Sequence, residues 1–162
     1  MTSFYDEVTD EESKTLLEEA IGLASHWHYD QRDKSDYPYI MHPLRVMLKG
    51  TTWNQRIVGM LHDIVEDTPV TIKRINAQFG DTIAQSIVCI THLPNEPNQM
   101  YLARVCTDLV ARQVKIYDIE DNLSPERMAN LDRPTQERLR KKYNDALEYL
   151  VKNGPPVQRH LR

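Results

Sequence analysis

Apolar side chains recur at helical spacing along most of this chain, and that periodicity limits the folds open to it. Leu16, Ala20 and Leu23 follow the three- and four-residue steps of one helix face, and later segments repeat the pattern. No stretch of four or more residues alternates between apolar and polar as a half-buried strand would. We therefore expect an all-α protein, with seven to nine helices packed into one compact domain.

Capping signals predict where these helices begin and end. Thr9 and Glu12 form a capping box, and the helix that follows should run to about His28. Thr52 should begin a helix that continues to Thr68, because the residue before a proline is pushed out of the α region. The same reasoning predicts further helices near residues 43–48, 71–79, 81–90, 100–106, 109–123 and 135–153.

Length and charge exclude several classes of protein. A chain of 162 residues is the size of one domain. It has 24 acidic and 20 basic residues, a net charge of −4, which argues against a nucleic-acid polymer or an anionic membrane as partner. The sequence also has no apolar run long enough for a membrane span and no visible signal peptide. Its two cysteines lie in apolar stretches, which favours a reducing, cytoplasmic location.

The segment LHDIVEDT, residues 61–68, carries unusually dense polar chemistry for an apolar helix. His62 and Glu66 are four residues apart, as are Asp63 and Asp67, so each pair shares a helix face. Their apolar neighbours imply burial, and uncompensated acids would be costly there. A bound cation would compensate them, so we expect a metal site.

Two further segments offer ligands. His42 lies in the apolar segment PYIMHP, and Asp118 lies within the helical run VKIYDIEDN. Taken singly, His42 is as readily a hydrogen-bonded core histidine as a ligand. An isolated Asp118 would more often be a helix cap or a half-exposed acid.

Taken together, His42, the His62–Asp63 doublet and Asp118 resemble the H…HD…D pattern of the HD-domain metal-dependent phosphohydrolases. The segments 38–46, 61–68 and 114–123 are similar to the hydrolase domain of the RelA/SpoT family, above all to its small single-domain members. The resemblance covers roughly residues 15–150. It implies a helical HD domain over residues 1–154, with residues 155–162 as a loose tail.

The resemblance also implies a role for individual residues. The implied metal ligands are His42, His62, Asp63 and Asp118. In this family the metal is usually Mn²⁺, although mixed nitrogen and oxygen ligands also suit zinc, iron or magnesium. Glu66 and Asp67 match the acidic pair that positions and deprotonates the attacking water, and Asn122 matches a nucleotide contact. The candidate phosphate contacts are Arg32, Lys34, Arg112 and Lys115.

The leading functional hypothesis is 3′-pyrophosphohydrolysis of (p)ppGpp, a small-molecule nucleotide. One alternative is an HD-domain phosphatase or pyrophosphatase of another nucleotide, such as NADPH or a (d)NTP. The other is a non-catalytic nucleotide-sensing domain, which the complete set of ligands and acids argues against. The sequence does not indicate the oligomeric state.

Some positions depart from the family pattern or have no assigned role. Asp30 and Asp36 stand where relatives often have glycine, so we expect the loop beside the substrate to differ in shape. Tyr117 replaces a small residue and is expected to narrow the pocket or stack on a base. His28 and His92 are best explained as packing or surface residues.

Overall fold

The fold is a bundle of helices, seen in a computed structural model that describes residues 9–154. Within that range the chain forms nine helices and no β-strand. They are α1 (Asp10–Trp27), α2 (Met41–Lys49), α3 (Trp53–Leu61), α4 (Ile64–Asp67), α5 (Ile72–Ile90), α6 (Asn98–Val105), α7 (Leu109–Asn122), α8 (Pro125–Ala129) and α9 (Arg133–Lys152). The predicted all-α class is confirmed. The tail predicted over residues 155–162 lies outside the described residues.

The helix boundaries follow the predicted caps. Thr9 and Glu12 form the reciprocal capping box, and Thr52 accepts a hydrogen bond from the backbone N–H of Gln55. Gly80 has φ 79° and breaks the helical path inside α5, where the sequence predicted one helix ending and another beginning.

The prediction of one helix from Thr52 to Thr68 is wrong, because the helix breaks at His62 and Asp63. Nδ1 of His62 lies 2.8 Å from the carbonyl oxygen of Gly59. A continuous helix would use that carbonyl for the N–H of Asp63, so the side chain competes with the backbone at this point. The short helix α8 was also not predicted.

Helix α3 occupies the middle of the larger core and packs against α1, α2, α5 and α7. It contributes Ile57, Val58, Met60 and Leu61 to that core, each at most 1% exposed. A smaller apolar cluster joins α6, α7 and α9. This arrangement brings the start of α2, the end of α3 and the middle of α7 together. None of the helices in residues 9–154 is long and apolar enough to cross a membrane.

The closest backbone approach that concerns the site is between α2 and α3 at Gly59. A Cβ atom added at Gly59 would lie 3.1 Å from Cα and 3.2 Å from the nitrogen of Met47. We expect Gly59→Val to push the two helices apart and to lower the free energy of unfolding by about 1–3 kcal/mol. Urea denaturation measures this change.

Gly22 provides the matched control. It is exposed on α1, and an added Cβ would meet no atom within 4 Å. Gly22→Ala should therefore stabilise the protein, by about 0.5–1 kcal/mol, because alanine loses less backbone entropy in a helix. A Gly59→Val protein as stable as the wild type would contradict the tight crossing.

Candidate metal centre

Four side chains from three parts of the fold converge on one point. His42 comes from the first turn of α2, His62 and Asp63 from the turn between α3 and α4, and Asp118 from α7. Nε2 of His42 lies 3.3 Å from Nε2 of His62 and 3.1 Å from Oδ1 of Asp118. Nε2 of His62 lies 3.0 Å from Oδ2 of Asp63. Ligand atoms bound at about 2.1 Å around one ion are separated by about 3.0–3.4 Å, so the spacing suits a single metal.

The outer nitrogens of both histidines determine which atoms face this point. Nδ1 of His42 lies 2.7 Å from Oδ2 of Asp121, and Nδ1 of His62 lies 2.8 Å from the Gly59 carbonyl. Because a carboxylate and a carbonyl accept hydrogen bonds, each Nδ1 carries the proton and donates it. Each Nε2 of a neutral ring therefore turns a lone pair inward, towards two carboxylate oxygens. Such a donor set fits a divalent cation.

The electrostatics of the cluster also favour a bound cation. Burial disfavours the charged form of His62, but Asp63 and Asp118 outweigh that effect and raise the pKa of His62 to about 9. Lys115 bonds the other carboxylate oxygen, Oδ2, of Asp118 at 2.8 Å. The buried negative charge thus calls for positive charge at this point, from a proton or from a metal that displaces it.

Tyr39 and His28 support the centre from one side. The Tyr39 hydroxyl donates to Oδ2 of Asp63, and burial raises the pKa of Tyr39, so it remains a proton donor. The Tyr39 ring packs against His28, whose Nδ1 bonds Gln31. Gln31 in turn donates to the backbone carbonyl of Asp67. His28 is therefore a buried packing residue, as expected.

The acidic pair lies beside the cluster in two different environments. Oε2 of Glu66 accepts a hydrogen bond of 3.0 Å from the backbone N–H of His92, which fixes its carboxylate. Burial, together with the charges of Asp63 and Glu66, raises the pKa of Asp67 to about 6. One carboxylate is therefore anchored, while the other is ready to exchange a proton near neutral pH.

The cluster lies at one end of a cavity of about 450 Å³. The cationic residues in its wall are Lys34, Lys115, Arg127 and Lys142. The wall also has apolar and aromatic members, namely Tyr39, Tyr101, Leu102, Ile119, Leu131, Leu139, Tyr143 and Ala146. The cavity thus has basic groups and flat apolar surface next to a cluster of imidazole and carboxylate groups that could bind a metal ion.

The structure brings some of the predicted substrate contacts to this cavity and places others elsewhere. Lys34, Lys115 and Asn122 line it, and Asn122 also donates to Oδ1 of Asp118. The prediction for Arg112 is wrong: Arg112 is buried outside the cavity lining, and its Nε donates to the backbone carbonyl of Leu150 in α9 at 2.7 Å. Arg32 is exposed in the loop before α2 and lies outside the cavity lining.

The expectation for Tyr117 is also corrected. Tyr117 is 3% exposed and packs in the larger core, with its hydroxyl 3.5 Å from Oε1 of Gln55, so it does not narrow the cavity. Asp30 and Asp36 have φ 62° and 64°, a left-handed conformation that glycine adopts readily. The two aspartates therefore adopt a backbone conformation that glycine also adopts, and the predicted difference in loop shape stays a prediction.

Sequence reasoning missed Asp121 and Tyr39 as parts of the site. Asp121 is 3% exposed and orients His42. Its signal was a second acid, one helical turn after Asp118, in the same apolar run. Tyr39, three residues before His42, gave no comparable signal.

Comparison with known proteins finds relatives in sequence and in fold. No protein-family model matches the chain. It is 36% identical over 99 residues to a probable guanosine-3′,5′-bis(diphosphate) 3′-pyrophosphohydrolase of Mycoplasma pneumoniae, an alignment covering 58% of this chain and 14% of that protein. It is 31% identical over 144 residues to the Synechocystis protein of the same name, covering 75% of this chain and 19% of the other. The chain thus spans less than a fifth of either relative.

A solved structure shares the fold. It is described as a metazoan ortholog of SpoT that hydrolyses ppGpp, with a TM-score of 0.67 and 22% sequence identity, and the match covers 85% of this chain and 84% of that one. With the sequence relatives, it confirms the resemblance: the chain is similar to RelA/SpoT proteins and has the all-α HD fold.

Metal binding should be visible as a gain in stability. We expect Mn²⁺ at a hundred times its Kd to raise the free energy of unfolding by about 2.7 kcal/mol, because the ion binds the folded state. His62→Ala should abolish this gain. His26→Ala, an exposed histidine on α1, should retain it. Thermal unfolding with and without Mn²⁺ measures the effect, and an equal gain in His62→Ala would contradict the site.

Proposed function

We propose that this chain is a metal-dependent hydrolase that removes pyrophosphate from the 3′ position of (p)ppGpp. The observation that carries this proposal is the convergence of His42, His62, Asp63 and Asp118 beside the acidic pair, at the end of a cation-lined cavity. Two relatives that are more than 30% identical to this chain over the aligned residues are named for that activity.

The four converging side chains would hold the metal, and Mn²⁺ is our choice because it is the usual metal of the family that the chain resembles and is compatible with mixed imidazole and carboxylate ligands. When bound, such an ion supplies a lowered water pKa and a polarised phosphate oxygen. Asp121 and the Gly59 carbonyl hold the two imidazoles with their Nε2 atoms inward. Tyr39 donates a hydrogen bond to Oδ2 of Asp63, the oxygen that faces Nε2 of His62.

The acidic pair, Glu66 and Asp67, orients and deprotonates the attacking water. Asp67, whose pKa is raised to about 6, accepts the proton as the water attacks phosphorus. Glu66, anchored by the N–H of His92, orients the same water through its free oxygen. Both side chains line the cavity, so they can reach a substrate there.

The cavity walls suit the two parts of a phosphorylated nucleotide. Burial, and then repulsion by Lys115 and Lys34, lowers the pKa of Lys142. An anion placed among these cations would relieve that repulsion, which is how a phosphate would be attracted. The aromatic rings of Tyr101 and Tyr143 offer surface for a base, and Asn122 offers a hydrogen-bonding amide.

The partner that this proposal implies is a small nucleotide, with no nucleic-acid polymer and no membrane. The cytoplasmic location stays a prediction, and the unpaired thiols of Cys89 and Cys106 agree with it.

The direct test is incubation of the purified protein with Mn²⁺ and ppGpp, followed by anion-exchange separation. We expect GDP and pyrophosphate to appear. Parallel incubations with NADPH and with nucleoside triphosphates identify another substrate if one of those is preferred. If no phosphate or pyrophosphate is released from any nucleotide at high protein concentration, the chain is not a hydrolase, and a nucleotide-sensing role takes its place.

Substitutions in the acidic pair should separate catalysis from metal binding. We expect Glu66→Gln and Asp67→Asn each to lower kcat by about 10²- to 10⁴-fold, because each removes a group that orients or deprotonates the water. Glu120→Gln, on an exposed part of α7 where Glu120 pairs with Lys49, should leave kcat unchanged. Steady-state kinetics with ppGpp measures both, and full activity in Asp67→Asn would remove its role as the base.

A further inference from the structure

Asp121 is a buried carboxylate that three other side chains share. Oδ2 accepts hydrogen bonds from Nδ1 of His42 at 2.7 Å, from Nη2 of Arg45 at 3.1 Å and from Nη1 of Arg127 at 3.2 Å. Oδ1 accepts a bond of 2.7 Å from Nε of Arg45. The partners lie on two helices, α2 and α8, around one charge on α7.

The two arginines hold Asp121 unequally. Arg45 forms a two-point contact with both carboxylate oxygens, whereas Arg127 makes one longer contact. Arg127 also lines the cavity, while Arg45 does not appear in its lining. An anion in the cavity can therefore attract Arg127 while Arg45 continues to neutralise Asp121.

We propose that Arg127 is a positioning residue that couples anion binding in the cavity to metal binding, through Asp121 and His42. When no anion is bound in the cavity, Arg127 partly neutralises the negative charge on Oδ2 of Asp121. When a phosphate group draws Arg127 away, that oxygen interacts more strongly with His42. This inference rests on the metal site of the proposed function, but not on hydrolysis.

The expected direction follows from how outer carboxylates affect metal-bound histidines. A carboxylate that accepts from the distal imidazole nitrogen makes the ring a better ligand, and losing it typically weakens metal binding. Releasing Asp121 from Arg127 should therefore tighten metal binding. Because coupling between two binding sites is reciprocal, bound metal should favour anion binding by the same factor.

The first test measures Mn²⁺ affinity from the electron paramagnetic resonance signal of free Mn²⁺. We expect Arg127→Gln to bind Mn²⁺ about fivefold more tightly than the wild type in the absence of anion. Arg127→Met, which removes the same charge, should agree and serves if the glutamine variant does not fold. Arg133→Gln, 89% exposed and paired with Glu137 on α9, should leave the affinity unchanged. Weaker or unchanged affinity in both Arg127 variants overturns the proposal.

A double-mutant cycle with Asp121→Asn separates this coupling from simple charge repulsion. Asp121→Asn alone should weaken Mn²⁺ binding by about 10- to 100-fold. In that background, Arg127→Gln should no longer tighten Mn²⁺ binding, because the Asp121 carboxylate through which Arg127 affects His42 is absent. The same tightening in both backgrounds would mean that Arg127 acts on the ion through space, and the proposal falls.

The second test adds sodium sulfate, with sodium chloride at equal ionic strength as the control. Sulfate should tighten Mn²⁺ binding in the wild type but not in Arg127→Gln. An equal effect in both proteins, or none in the wild type, contradicts the coupling. The assay needs no turnover, so it can fail while ppGpp hydrolysis is observed, or succeed while hydrolysis is absent.

Discussion

The rest of the structure depends on a concentration of negative charge that the fold buries beside two imidazoles. Asp63 and Asp118 turn carboxylate oxygens to within 3.0–3.1 Å of the Nε2 atoms of His62 and His42. Isolated buried carboxylates are costly, so this arrangement is stable when positive charge occupies the point between them. The helices around it serve to deliver and to hold those four groups.

The groups around this cluster have two roles. Some orient the four inner side chains, and others lie beside the cavity as an acidic pair. Asp121 and the Gly59 carbonyl orient the two imidazoles by accepting hydrogen bonds from their outer nitrogens, and Tyr39 donates to Oδ2 of Asp63, the oxygen that faces His62. Glu66 and Asp67 both line the cavity, where the backbone N–H of His92 holds the Glu66 carboxylate and the pKa of Asp67 is raised to about 6. Similar residue types thereby acquire distinct chemistry from their neighbours alone.

The sequence predicted the helices well where a cap or a glycine marks their ends, as at Thr9, Thr52 and Gly80. It also predicted which four residues converge, because their motifs occur together in a family. It did not predict the break at His62, which depends on a side-chain bond to Gly59. Nor could spacing alone reveal that Arg112 turns towards Leu150, since the position of α9 decides that contact.

Gly59 affects both the packing of the helix bundle and the arrangement of the histidines in the candidate metal centre. Its missing side chain lets α3 lie against the backbone of α2, and its carbonyl holds the His62 ring. The separation of the two histidine ligands is therefore a property of backbone contact, with little dependence on flexible side chains. An ion that bound at this point would meet side chains already in place, so little conformational entropy would be lost, and an ion of unsuitable radius would meet a site that resists adjustment.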